Sequence, residues 1–225
     1  MYCVCGVDRR DKRTSESDVI LAVDGPAASG KGTIARALAG HFALPHLDTG
    51  LLYRAVGLSV LRHGGDPALE IDALRACAFG DAMLYDPDIR CEAASRAASV
   101  ISAHPSVRHA LVERQLDFAA QPSGAVLDGR DIGTVIAPDA AAKLFVTAAP
   151  EIRAKRRFAQ LVGEGSHVEY AHVLTDILDR DTRDSQRSTA PLRKADDADL
   201  LDTTNLDIGA AVRRAIALVE ARVNP

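Results

Sequence analysis

The stretch Asp24-Gly-Pro-Ala-Ala-Ser-Gly-Lys-Gly-Thr33 constrains this chain more than any other. It follows a short apolar run, Val19-Ile-Leu-Ala-Val23, and precedes a pattern with Ile34, Leu38 and Phe42 four residues apart. That order predicts a strand, a glycine-rich turn and a helix, the setting a phosphate-binding loop requires. Gly25 and Gly30 let the backbone curl so that successive N–H groups point inward at phosphate oxygens. A helix opening at Lys31 adds its unpaired N–H groups and the positive end of its dipole. The segment Gly25, Pro26, Ala27, Ala28, Ser29, Gly30, Lys31, Gly32 and Thr33 is therefore expected to hold a nucleoside triphosphate. Lys31 would reach the terminal phosphates, and a following hydroxyl would hold magnesium. That hydroxyl usually follows the lysine directly, whereas here Gly32 intervenes before Thr33. An ordinary glycine-rich βα turn with a chance lysine is the competing account, and the flanking strand and helix weigh against it.

Composition sets outer limits on function. The chain has 225 residues, enough to bury a sizeable core, and is 47% hydrophobic and 26% charged. A net charge of −4 argues against general nucleic-acid affinity, so local arginine clusters should serve something small. No apolar run reaches the ~18 residues of a membrane span. The first residues lack the apolar core of a signal peptide, so a cytoplasmic location is expected. Cys3 and Cys5 are too close for the usual zinc spacing, and Cys77 and Cys91 stand apart; reduced thiols are the plain reading and a metal or redox role the alternative. No exposed apolar stripe stands out, which favours a monomer.

Residues 1–17 are charged and polar after the first few positions and read as a flexible lead-in. Beyond them, strands are expected at Leu44–Asp48, Ala125–Asp128, Lys143–Thr147 and Leu200–Thr204, with a further short one conceivable at Ala82–Tyr85. A helix through Tyr53, Val56, Val60 and Leu61 ends at Gly64-Gly-Asp-Pro67, and a weaker one spans Ala68–Phe79. Further helices are expected over Glu92–Ala103, Val107–Ala119, Pro150–Val162, His167–Arg183 and Ile208–Val223. Strands alternating with helices predict a parallel sheet covered on both faces, with ligands at the strand C-terminal ends.

Three further stretches carry chemistry. In Asp48-Thr-Gly-Leu-Leu-Tyr-Arg54, a hydroxyl, a tyrosine and an arginine over one helical turn would suit a phosphorylated small molecule, Arg54 offering a planar fork. Taken alone, an N-capped helix with a surface arginine explains it as plainly. In Leu127-Asp-Gly-Arg-Asp-Ile-Gly133, Asp128 is placed like a magnesium-orienting carboxylate, while Arg130 and Asp131 lie on the emerging turn. Turn chemistry competes there, but two acids and an arginine beside a buried strand favour function. In Arg180-Asp-Thr-Arg-Asp-Ser-Gln-Arg187, helical spacing puts Arg180, Arg183, Asp184 and Arg187 on one face. Arg153, Arg156 and Arg157 form a second cluster beyond the fourth strand. Such runs are commonly solvated salt-bridge faces. Phosphoryl transfer, however, needs cations around the migrating group, and a helical segment there would serve as a closing lid.

Together these motifs, with Ala190-Pro-Leu192, resemble the bacterial cytidylate kinases, members of the nucleoside monophosphate kinases, over almost the whole of Val19 to Arg222. The resemblance implies an α/β P-loop kinase fold: a five-stranded parallel sheet with helices on both faces, a monophosphate-binding insert and a short helical lid. It divides residues 18–225 into a core (about 18–65, 105–150 and 196–225), an insert (about 66–104) and a lid (about 151–195). It implies transfer of the γ-phosphoryl of ATP to CMP or dCMP, with magnesium. By the same resemblance Ser99, Arg108 and Asp131 match residues that recognise the base, and Thr49 stands where the acceptor pocket usually has serine. Tyr53, Asp184 and Arg187 match positions around the sugar, Arg54 and Arg130 those on the acceptor phosphate, with Arg187 near it too. Arg156 and Arg180 look like lid arginines over the transferring group. Lys31, Arg130, Arg156, Arg180 and Arg187 would thus form the catalytic cage, and Thr33 and Asp128 would hold the metal. An ionised Asp131 suits the exocyclic amine of cytosine and not a uracil carbonyl.

The family's insert commonly carries a small three-stranded sheet, for which the dozen residues from Gly80 to Cys91 are too few. A kinase of another monophosphate or small metabolite, and a nucleotide-binding regulator without turnover, remain the alternatives at this point.

Overall fold

A computed structural model describes residues 19–223; the expected lead-in, with Cys3 and Cys5, lies outside them. The first strand, β1 (Ile20–Asp24), is the middle strand of a five-stranded sheet. Around it lie β2 (His46–Asp48), β3 (Ala125–Gly129), β4 (Ala142–Thr147) and β5 (Asp199–Asp202), in the order β2-β3-β1-β4-β5 with every pair parallel. Such a sheet needs cover on both faces, and the alternation along β1 supplies two cores. Leu21 and Val23 pack with Leu38 of α1 (Lys31–Phe42) and with Ala215 and Val219 of α8 (Ile208–Val223). Ala22 faces the other way, with Leu127, Ile132 and the side of α5 (Pro105–Ala119) that carries Val112 and Phe118. Each fully buried Leu or Val contributes about 1.5–3 kcal/mol.

The other helices build two annexes. α2 (Thr49–Arg62), α3 (Glu70–Arg75), α4 (Glu92–Ile101) and α5 enclose a core that includes Leu52, Val56, Phe79, Ile101 and Leu111. α2 and α4 cross closely at Gly57, where an added Cβ would lie 3.0 Å from Cβ of Ala97 and 3.2 Å from the Ala94 carbonyl oxygen. α6 (Pro150–Gly163) and α7 (Tyr170–Gln186) share a smaller core of Ala154, Leu161, Val173 and Ile177, joined by Ala27 from the loop after β1.

Three expectations need correction. Ala82–Tyr85 is not a strand: Asp81–Tyr85 and Pro87–Arg90 are 3₁₀ turns. Among the described residues no strand pairs with this segment, so the backbone is satisfied locally, Met83 N–H donating to the Gly80 carbonyl and Ile89 N–H to that of Asp86. The helix expected over Ala68–Phe79 covers only Glu70–Arg75. Beyond it Phe79 is drawn into the annex core, its ring 4.6 Å from the Arg114 guanidinium and its carbonyl accepting from Arg114. The helix expected over His167–Arg183, α7, starts and ends three residues later than the spacing implied, so it carries Asp184 and stops just before Arg187.

Candidate active site

The parallel register brings Asp24, Asp48 and Asp128 to the same edge of the sheet, with Asp24 opposite Gly129 and Asp48 opposite Asp128. Over that edge lies a cavity of about 1180 Å³, walled by the loop after β1, the starts of α1 and α2, α4, the turn after β3, α6 and α7. Its size exceeds the ~300–1,000 Å³ of a typical ligand site, leaving room for more than one small ligand.

At one end, α1 begins at Lys31 behind Gly30, which has a φ of 93°. No side chain among the described residues caps this helix and its first turn holds no acid, so its N–H groups and dipole are left to an anion. Ala27, Ala28, Ser29, Gly30, Lys31, Gly32 and Thr33 all line the cavity. Gly25 and Pro26, expected there as well, do not; both are buried. Gly25 has a φ of 152°, and a Cβ on it would fall 2.0 Å from the Val146 carbonyl oxygen. Close packing on β4 explains this glycine, where sequence reasoning invoked phosphate contact.

Lys31 Nζ stands 3.7 Å from Asp128 Oδ1, and His46 Nε2 donates to Asp128 Oδ2 at 2.8 Å. Burial opposes ionisation of Asp128, but the His46 hydrogen bond and the Lys31 charge outweigh it and hold the carboxyl below its ordinary value. His46 escaped the sequence reading because its partner lies 82 residues away. The hint was its place on β2, two residues before Asp48.

Cations fill the middle of the cavity. Lys31 is pushed below its ordinary value by burial and by Arg130, against Asp128 and Asp48. Arg54 is lowered by burial, with Arg90, Arg157 and Arg130 adding to the effect against Asp48. Arg180 falls to about 10, by burial first and then by Arg130. Arg130 moves upward despite burial, because Asp184 accepts from its Nε at 2.6 Å. Groups that depress one another in this way are paired incompletely by the protein, and a polyanion completes them.

The expected arginines divide by helical rotation. Arg180, Asp184 and Arg187 line the cavity, whereas Arg183 turns back to the Asp179 carbonyl. Arg156 reaches the end formed by the loop after β1, where Nη2 donates to the Thr203 carbonyl at 2.7 Å and Nη1 to that of Ser29 at 3.4 Å. Arg157 faces the cavity and pairs with Glu92. Arg153 is structural: it is buried on the carbonyl oxygens of Ala148 and Ala27 and on Asp181.

At the far end, Asp131 is gripped between two buried guanidiniums, Arg108 on Oδ2 and Arg187 on Oδ1, the latter at 3.3 Å. The Arg108 guanidinium also lies 5.8 Å from the Tyr53 ring centroid, and burial raises the Tyr53 hydroxyl further above neutrality. The Thr49 hydroxyl donates to the Asp128 carbonyl at 2.9 Å, which ties α2 to β3. Two buried polar atoms here, Ser99 Oγ and Arg108 Nε, have no partner among the described residues. Such orphans are rare in folded proteins and mark the wall where a polar ligand edge belongs.

α7 and α4 meet across this end: Arg180 donates to the Ser95 carbonyl, and Arg96 pairs with Asp176 at 3.2 Å. Thr33 and Asp128 give the oxygen donors that magnesium prefers, and both face the cavity. No helix among the described residues is long and apolar enough to cross a membrane.

Comparison with known proteins agrees with this architecture. The family model for cytidylate kinase matches residues 21–221. A cytidylate kinase of Xanthobacter autotrophicus is 58% identical over 207 residues, covering 91% of this chain and 98% of that protein. One of Methylocella silvestris is 55% identical over 206 residues, covering 90% and 94%. Among solved structures, a gluconokinase from Sinorhizobium meliloti shares the fold at a TM-score of 0.51 and 14% identity, over 91% of this chain and 93% of that one. With a family match across nearly all of the described residues and relatives of this identity, the chain belongs to the cytidylate kinase family.

Proposed function

We infer that the chain transfers the γ-phosphoryl group of ATP to CMP or dCMP, releasing ADP and CDP or dCDP. The observation that carries this reading is the far wall of the cavity. Asp131 offers a carboxylate acceptor there, and Ser99 Oγ and Arg108 Nε on the same cavity wall have no partner among the described residues. Cytosine presents an amine donor next to acceptors along one edge, and this wall is complementary to it. Uracil would set a carbonyl against the Asp131 carboxylate.

In this reading the N–H groups of residues 27–33 hold the donor phosphates, with Lys31 on the terminal ones and Arg156 at the donor end. Arg54 and Arg130 hold the acceptor phosphate, Asp184 keeping the Arg130 fork in place. Tyr53, Asp184 and Arg187 surround the acceptor sugar, and Thr49 steadies the floor between the half-sites. Arg180, on the lid, faces the space between the two phosphates. Transfer is direct and in line, the cations balancing charge that spreads over the equatorial oxygens. Thr33 and Asp128 would hold a magnesium ion, with His46 and Lys31 keeping the carboxylate ionised. A cation held there would supply charge neutralisation to the donor phosphates. Lid and insert close over the cavity and keep water from the transferring group.

The test is ADP formation from Mg-ATP with CMP, dCMP, UMP, AMP and no acceptor, side by side. Turnover with CMP and dCMP well above UMP is the expected result. Preference for another monophosphate would overturn the base assignments, and silence with every acceptor would overturn the reading as a whole.

A further inference from the structure

Asp24 ends β1 directly before Gly25, yet it does not line the cavity. Its carboxylate reaches instead to the exit of β3, where Oδ1 accepts from the Ile132 N–H at 2.9 Å and Oδ2 from the Gly133 N–H at 2.8 Å. The side chain is almost fully buried. Burial pushes its carboxyl up to about 6, with the Gly133 and Ile132 N–H groups pulling the other way. A buried charge is a costly way to satisfy two N–H groups. What two oxygens provide is a two-point grip, which sets the orientation of the turn as well as its position.

The gripped turn is the one that carries the base reader. Asp131 has a φ of −145° and a ψ of 24°, and it opens a π-helical turn over Ile132–Ile136, a form often found at functional sites. Its carbonyl accepts from Val135 at 2.9 Å and from Ile136 at 3.3 Å. The Asp131 backbone is thus held by β3 on one side and by Asp24 on the other. The charged groups around Asp24 are Asp131 and Arg130 on the turn itself, and Lys143 of β4, whose stem would lie 3.1 Å from a Cβ at Gly133.

We propose that Asp24 is a positioning residue for the acceptor base: by holding the N–H groups of Ile132 and Gly133 it fixes the Asp131 carboxylate between Arg108 and Arg187, and so sets the preference for cytosine over uracil. The proposal rests on the base-reading role of Asp131 inferred above. It makes the first residue of the donor-loop stretch a determinant of acceptor selectivity.

Asp24→Asn preserves the volume and one acceptor but turns amide hydrogens toward one of the two N–H groups. The KM for CMP should rise about tenfold, the CMP-over-UMP ratio of kcat/KM should fall by a similar factor, and the KM for ATP should move less than about threefold. Asp131→Asn, measured alongside, should narrow the same ratio. Adding Asp24→Asn to it should narrow the ratio no further, because both act through one carboxylate. Additive effects, or equal rises in both KM values, would overturn the role of Asp24 and leave that of Asp131 standing. An unchanged ratio in Asp131→Asn would remove the base reading and this proposal with it. A measurement without any variant guards against misfolding of Asp24→Asn. In the unsubstituted, nucleotide-free protein, the Ile132 and Gly133 amides should exchange as slowly as those of β1 and β3. Exchange at open-loop rates would refute the grip.

Discussion

Replacing Asp131 by asparagine tests the acceptor site at its centre. In the native protein each carboxylate oxygen meets a buried arginine, Arg108 on one and Arg187 on the other. An asparagine retains one of these acceptors and turns an amide donor toward the other guanidinium. A hydrogen bond to a charged group is worth about 1.5–3 kcal/mol, so losing that to the cytosine amine lowers kcat/KM for CMP by about 30-fold at ~2 kcal/mol. For UMP the sign reverses, since the new amide donates to the uracil carbonyl, and kcat/KM should hold or rise. The ratio therefore narrows by about 30-fold or more. The variant should also unfold about 4–8 °C lower if the buried pairing loses ~2 kcal/mol. Kinetics belong at a temperature well below both transitions, with ATP saturating. A CMP-over-UMP ratio within threefold of the native value, at unchanged ATP affinity, would refute the reasoning.

Three further outcomes follow from the same geometry. Lys31→Met should reduce kcat by about 10²–10³ with little effect on CMP binding, because it removes charge from the transferring group and not from the base wall. Equilibrium unfolding should show little loss of stability, since desolvation and Arg130 hold this half-buried ammonium below its ordinary value, so that its charge is disfavoured in the folded state. Gly57→Ala should raise the KM for CMP and lower Tm, because its methyl meets α4 at Ala94–Ala98, one turn before Ser99; an unchanged KM would show that α4 absorbs the shift. Asp24 should give an inverted pH signature. Its folded value of about 6 exceeds its ordinary 3.8, so the native state holds the proton more tightly than the unfolded chain. Its favourable contribution is complete below pH ~4 and is lost as pH rises through ~6, about 3 kcal/mol in all. Urea unfolding of native protein and Asp24→Asn at pH 4.5 and 7.5 should show the difference shifting toward the variant at the higher pH. A constant difference would contradict the buried, ionising carboxylate.

Much of this protein is written in its sequence. The run Val19–Val23 followed by Gly25–Thr33 and a helical pattern admits few folds besides a strand, a phosphate loop and a helix. The order of that loop, the Asp48–Arg54 stretch, Leu127–Gly133 and Arg180–Arg187 points to one family, because the first three lie where a strand ends and the fourth closes a helix, places where local propensity is strong. Local rules are weaker between residues 68 and 91, where Phe79 obeys the annex core and Ala82–Tyr85 finds no strand to pair with. Tertiary structure alone decided which charged side chains face the cavity. Helical rotation sends Arg153 into the core and Arg156 and Arg157 toward the site, although all three belong to one short run. Parallel pairing sets His46 against Asp128, 82 residues on, and the Asp24 carboxylate against the turn at Ile132, 108 residues on. Spacing along a chain reports which residues share an element; which elements become neighbours is settled by how the faces of the sheet are buried, and that is a property of the whole fold.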